Sequence, residues 1–76
     1  MKNNKVENKK EAVNLINELT HQKESLIIEN KLLTSRYIKT KNINEKLILS
    51  DNYNFNWMKI KSLSKRITLL KGAFEL

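Results

Sequence analysis

The sequence predicts a small all-α protein, and three observations support this fold class. Neither glycine nor proline occurs between Met1 and Lys71, so no residue in that stretch forces the chain out of a helix. Apolar residues return every three or four positions in two long segments, as they do along one face of a helix. No segment has the pattern of a β-strand. At 76 residues the chain has room for one domain, 1–76, whose first five residues we expect to be disordered.

The first helix is predicted over residues 6–38. Its apolar pattern repeats every seven residues, with a second set of residues at the intervening three-four positions. The first set is Ala12, Leu19, Leu26 and Leu33, and the second is Ile16, Lys23, Asn30 and Tyr37. Such a seam is typical of a helix that packs lengthwise against another helix, as in a coiled coil. The polar members of the seam, Lys23 and Asn30, weaken it but can fix the register of the pairing.

A short middle helix is predicted over residues 43–49. The apolar pattern thins over residues 39–42, and Asn42 with Glu45 three residues later resembles a capping pair that restarts a helix. The next segment, 50–56, reads SDNYNFN and is rich in the Asn and Asp residues that favour turns. We therefore expect the connection between helices there.

The last helix is predicted over residues 54–71. Its apolar face consists of Ile60, Leu63, Ile67 and Leu70, and Gly72 follows as the expected left-handed residue beyond the helix end. The predicted fold is thus a helical hairpin or a three-helix arrangement: a long N-terminal helix, a short middle helix and a basic amphipathic C-terminal helix. Dimerisation into a four-helix bundle would bury seam residues that one chain leaves exposed.

Residue types needed for catalysis are scarce. His21 is the only histidine, there is no cysteine, and one glycine cannot form a phosphate-binding loop. We therefore expect neither an enzyme, a metal site nor a cofactor. The chain has no apolar run near the roughly 18 residues of a membrane-spanning helix. These features predict a cytoplasmic protein, located in the host cytoplasm if a phage encodes it.

The charge pattern points to an anionic partner. The formal net charge is +7, although an AT-rich coding sequence, as in phages and mobile elements, also enriches Lys and Asn. Basic residues concentrate in the middle and C-terminal parts of the chain. The predicted contacts to nucleic acid are Lys59, Lys61, Lys65 and Arg66, helped by Arg36, Lys39, Lys41 and Trp57. Lysine and arginine neutralise backbone phosphates, which makes such binding strongly dependent on salt.

The aromatic residues allow two interpretations. Tyr53, Phe55 and Trp57 alternate with asparagines, so Trp57 either covers the core where helices meet or stacks on unpaired bases. The predicted function is a non-enzymatic accessory protein that binds nucleic acid or a larger DNA-processing enzyme in replication, recombination or repair. The alternative is a coiled-coil-like interaction module, an adaptor or inhibitor without nucleic-acid contact. A membrane surface is not expected as a partner, because packing explains the apolar stripe better.

Overall fold

A computed structural model of the protein describes residues 8–76, which form two long α-helices. Helix α1 spans Lys9–Lys39 and helix α2 spans Ile43–Phe74. They pack antiparallel as a hairpin with extents of 51 × 26 × 15 Å, and the described residues contain no β-strand. The all-α class is confirmed. The prediction of disorder at residues 1–5 lies outside the described residues.

Helix α1 begins later than predicted. Asn8 has an extended backbone (φ −149°), and its side-chain Oδ1 accepts a hydrogen bond from the Glu11 backbone N–H at 2.9 Å. This contact satisfies one of the amides that a helix start leaves unpaired. The helix therefore starts at Lys9, and the predicted start at Val6 lies outside the described residues.

The chain reverses direction at residues 40–42. Thr40 ends α1 with an extended backbone, and the Asn42 side chain caps α2 by accepting from the Glu45 N–H at 3.0 Å. This confirms the predicted Asn42 and Glu45 pair. The Thr40 hydroxyl donates to the Glu45 carboxylate, and Lys46 Nζ donates to the Tyr37 carbonyl at 2.8 Å. These contacts hold the two helix ends together across a short connection.

The prediction of a third helix is wrong, because α2 runs without a break through the segment assigned to a connection. Leu49 and Asn56 are buried and Tyr53 is half-buried, so the seam continues at three-four spacing from Leu49 into Ile60. The preference of Asn and Asp for turns is weak, and packing along a seam overrides it. Asn52 and Asn54 simply point into solvent.

The core is a single seam between the helices, and its α1 half confirms the predicted pattern. The buried apolar residues are Ala12, Ile16, Leu19 and Leu33 in α1 and Leu49, Ile60, Leu63 and Ile67 in α2. The predicted C-terminal face is also confirmed, with Leu70 half-buried against the cluster of Ile16, Leu19, Leu63 and Ile67. Lys23, Leu26 and Tyr37 are only partly covered or exposed, so the core is narrow.

A polar pair interrupts the seam near the middle of the hairpin. Asn56 Nδ2 donates to Asn30 Oδ1 at 3.0 Å, and Asn30 Nδ2 donates to the Tyr53 carbonyl at 3.4 Å. Both asparagines are about 95% buried, and no buried side-chain N or O atom among residues 8–76 lacks a partner. The pair fixes the register, since Asn30 must face Asn56 to satisfy both amides.

Helix α2 also ends later than predicted. Gly72 lies inside the last turn and does not have a positive φ; Glu75 is the left-handed residue, with φ 55°. The Glu75 N–H donates to the Gly72 carbonyl at 3.4 Å and the Leu76 N–H donates to the Lys71 carbonyl at 2.8 Å. This pair of bonds is the Schellman arrangement. The seam reaches one turn beyond Leu70 to the half-buried Phe74, which explains the extra length.

Candidate nucleic-acid interface

The hairpin has two long sides, each with a groove between the helices. Two connected grooves share Thr34 and Tyr53 and define the neutral side, which is lined by Ile27, Asn30, Lys31, Leu33, Thr34, Tyr37, Leu49, Ser50, Tyr53 and Trp57. The groove on the other side, the charged side, is lined by Gln22, Ser25, Leu26, Lys59, Ser62 and Leu63. Residues seven positions apart in a packed helix share a side. Arg66 therefore follows Lys59 on the charged side.

The four predicted basic contacts in α2 are all exposed. With about 100° between successive residues, Lys59 and Arg66 lie along the charged side and Lys65 points away from α1. Lys61 is turned about 140° from Arg66, towards the neutral side. The four therefore cover a broad curved surface, and Lys61 lies farthest from the others.

Helix α2 contributes no acidic side chain to this surface. Between Asp51 and Glu75, helix α2 has no carboxylate, and none of its four basic contacts forms an ion pair with the described residues. Lys59 instead places Nζ 4.5 Å from the centre of the Phe55 ring, a cation–π contact. The positive charge of this part of α2 thus remains available to a ligand.

Arg36, Lys39 and Lys41 form a second basic group at the loop end of the hairpin. All three are exposed. Arg36 follows Gln22 by two seven-residue repeats and so lies on the charged side, about 14 Å along the hairpin from Lys59. Glu29 occupies the same row between Gln22 and Arg36, so the two basic groups do not form one continuous strip.

Trp57 lies apart from Lys59, Lys65 and Arg66, and Lys61 is the basic contact nearest to it. Trp57 lines the neutral side with Ile27 and packs edge-on against Tyr53, with ring centres 6.3 Å apart. The aromatic residue beside the basic surface is Phe55, which the sequence interpretation did not include as a contact. Its spacing of four residues from Lys59 is the signal that places both on one face of a helix.

Other kinds of site find no support in the described chain. Within residues 8–76 no three His, Asp or Glu side chains gather where they could hold a metal ion. Neither of the two helices has an apolar stretch sufficient to cross a bilayer. No family model, curated protein or solved structure matches the chain.

Proposed function

We propose that the protein is a non-enzymatic nucleic-acid-binding protein whose basic surface on α2 contacts backbone phosphates. The observation that supports this most directly is the acid-free stretch of α2, where Lys59, Lys65 and Arg66 are exposed and free of ion pairs. Unpaired cations on a rigid helix release counterions from nucleic acid when they bind it. Such contacts position the protein but do not read the base sequence.

The fold supports this use of α2. The seam holds one face of the helix against α1, so the basic side chains stay exposed without needing the ligand to order the backbone. Ser62 is exposed beside Lys59 and offers a neutral hydrogen-bond donor to phosphate oxygens. Arg36 and Lys39 would extend the contact towards the loop end. Lys61 would contribute least, because it is turned towards the neutral side.

Charge reversal on α2 tests the proposal. We expect Lys65→Glu with Arg66→Glu to weaken binding of a labelled oligonucleotide at low salt by about tenfold or more, and to reduce the slope of log K against log salt by about two. Fluorescence anisotropy would measure both quantities for single and double strands.

Lys9→Glu with Lys10→Glu is the matched control. It makes the same change in net charge at the start of α1, where acidic residues suit the helix dipole. An equal loss of affinity in both pairs would show that only net charge matters and would contradict a surface on α2. Absence of binding by the unaltered protein would contradict the proposal as a whole.

Apolar residues on the outward faces favour a second candidate, a protein-interaction module such as an adaptor or inhibitor. Met58 and Leu69 are more than 60% exposed on the same helix as Lys65, and phosphate binding does not require them. The absorbance ratio at 260 and 280 nm separates the candidates. A nucleic-acid-binding protein purified without nuclease would show a raised ratio that high salt abolishes. A pure interaction module would show the ratio of protein alone at any salt concentration.

A further inference from the structure

The neutral side is an apolar surface that the hairpin leaves uncovered. Its two connected grooves contain one charged residue, Lys31, and no acid. Near the loop, Ile38, Ile43 and Leu47 are each at least 60% exposed, and their helical positions place them around the same side. Apolar surface that is contiguous and rimmed by polar residues usually marks an interface.

The hairpin also has little core of its own. Two helices share one seam, and its centre is occupied by the Asn30–Asn56 pair and the half-buried Lys23. Chains of this size commonly need association to bury enough apolar surface. A second layer of helices over the neutral side would supply that burial.

We propose that a second copy of this chain covers the neutral side and completes a four-helix bundle. Self-complementarity favours this occupant. Each copy carries exposed side chains of opposite charge at the edge of the neutral side, Glu24 and Lys61, so two copies can pair these charges although each chain has a net charge of +7. The basic residues Lys59, Lys65 and Arg66 face elsewhere and remain exposed in the dimer, so this inference does not rest on nucleic-acid binding.

Complementary residues set the orientation of the two copies. With the loops at the same end, α1 packs on α2 of the second copy, and every neighbouring pair of helices is antiparallel, as in a common four-helix bundle. Residues that face each other across the groove within one hairpin then also face each other between copies. The expected pairs are Ile27 with Trp57, Ile38 with Leu47, and the oppositely charged Glu24 with Lys61.

Loops at opposite ends would instead stack α1 on α1 and α2 on α2. That arrangement would separate Glu24 from Lys61 and leave the basic Lys61 without a partner. We therefore assign loops at the same end, a closed two-fold arrangement in which both copies use the same surface.

Adjacent residues provide a matched test of the interface. Leu47 and Ile48 are both 60% exposed. Relative to Leu49 and Tyr53 in the seam nearby, Leu47 is turned outward towards the neutral side and Ile48 towards the charged side. We expect sedimentation equilibrium of the nuclease-treated protein to give the dimer mass. Leu47→Glu should raise the dimer dissociation constant at least tenfold, whereas Ile48→Glu should leave it nearly unchanged.

Helicity measured by circular dichroism would show whether each variant keeps the hairpin, and both substituted positions are exposed in it. A monomeric unaltered protein at about 100 μM, a concentration at which a dimer with a micromolar dissociation constant would form, would overturn the proposal. Equal behaviour of the two variants would overturn the assignment to the neutral side.

Cross-linking tests the orientation. The chain has no cysteine, so Thr34→Cys and Ser50→Cys can be made as two separate single variants. These positions line the same groove within one hairpin. A short bifunctional thiol reagent should join the two variants to each other more efficiently than either to itself. Preferential joining of identical variants would contradict loops at the same end.

Discussion

At the scale of single residues, the buried Asn30–Asn56 pair is the feature with the clearest physical consequence. Each amide is shielded from water, and the bond of 3.0 Å between them compensates for the lost solvation. A leucine pair in this layer would pack without that requirement. We interpret the asparagines as residues that select one register at some cost in stability, as polar seam residues do in coiled coils.

Substitutions of this pair test the interpretation. Asn56→Leu alone should lower the free energy of unfolding by about 1–3 kcal/mol, because it leaves the buried side-chain Oδ1 of Asn30 without its donor. Asn30→Leu with Asn56→Leu should restore or exceed the original stability. Urea unfolding followed by circular dichroism measures both changes. A double variant that is less stable than the single one would show that the pair stabilises the fold outright.

At the scale of helices, the sequence predicted α1 and its seam but not the continuity of α2. The seven-residue spacing of Ala12, Leu19, Leu26 and Leu33 keeps one phase along α1, so its packed face could be read directly. In α2 the segment 50–56 contains four Asn or Asp residues, and their preference for turns concealed that Leu49, Tyr53 and Asn56 keep the same phase as Ile60. The absence of glycine and proline was the better guide, because nothing there prevents a helix.

A proline in this segment tests the continuity of α2. Asn54 is exposed in the middle of the helix. Asn54→Pro should cost about 3 kcal/mol or more of the free energy of unfolding, since proline removes a helix hydrogen bond and clashes with the preceding turn. Asn54→Ala is the control and should be neutral or slightly stabilising. A proline tolerated without a loss in thermal stability would instead support a connection at this point.

Only part of the candidate site could be predicted from the sequence, and the reason is again the phase of α2. The basic residues and the lack of acid near them are visible in composition, but their directions depend on the phase of the helix. The positions of Ile60, Leu63 and Ile67 already define that phase and would have separated Lys61 from Arg66. The position of Trp57 on the neutral side could be assigned only once α2 was known to be one long helix. The predicted helix over 54–71 placed Trp57 in its first turn, at a helix end.

At the scale of the whole molecule, one helix presents three distinct surfaces. One face of α2 packs against α1, and the neutral side would pack against a second copy. The rest of its exposed surface carries the unpaired basic residues. These surfaces do not compete for the same side chains, apart from Lys61 at their boundary. A dimer would therefore present two basic surfaces to one nucleic acid, which would raise the avidity of binding without new contacts.

Sedimentation of the protein with and without an oligonucleotide at low salt tests the account most directly, because it reports the mass of the free protein and of the complex together. The account predicts a free dimer and a complex that contains one dimer with the oligonucleotide. A free monomer would contradict the role of the neutral side. An oligonucleotide that sediments unchanged in the presence of the protein would contradict the role of the basic surface on α2.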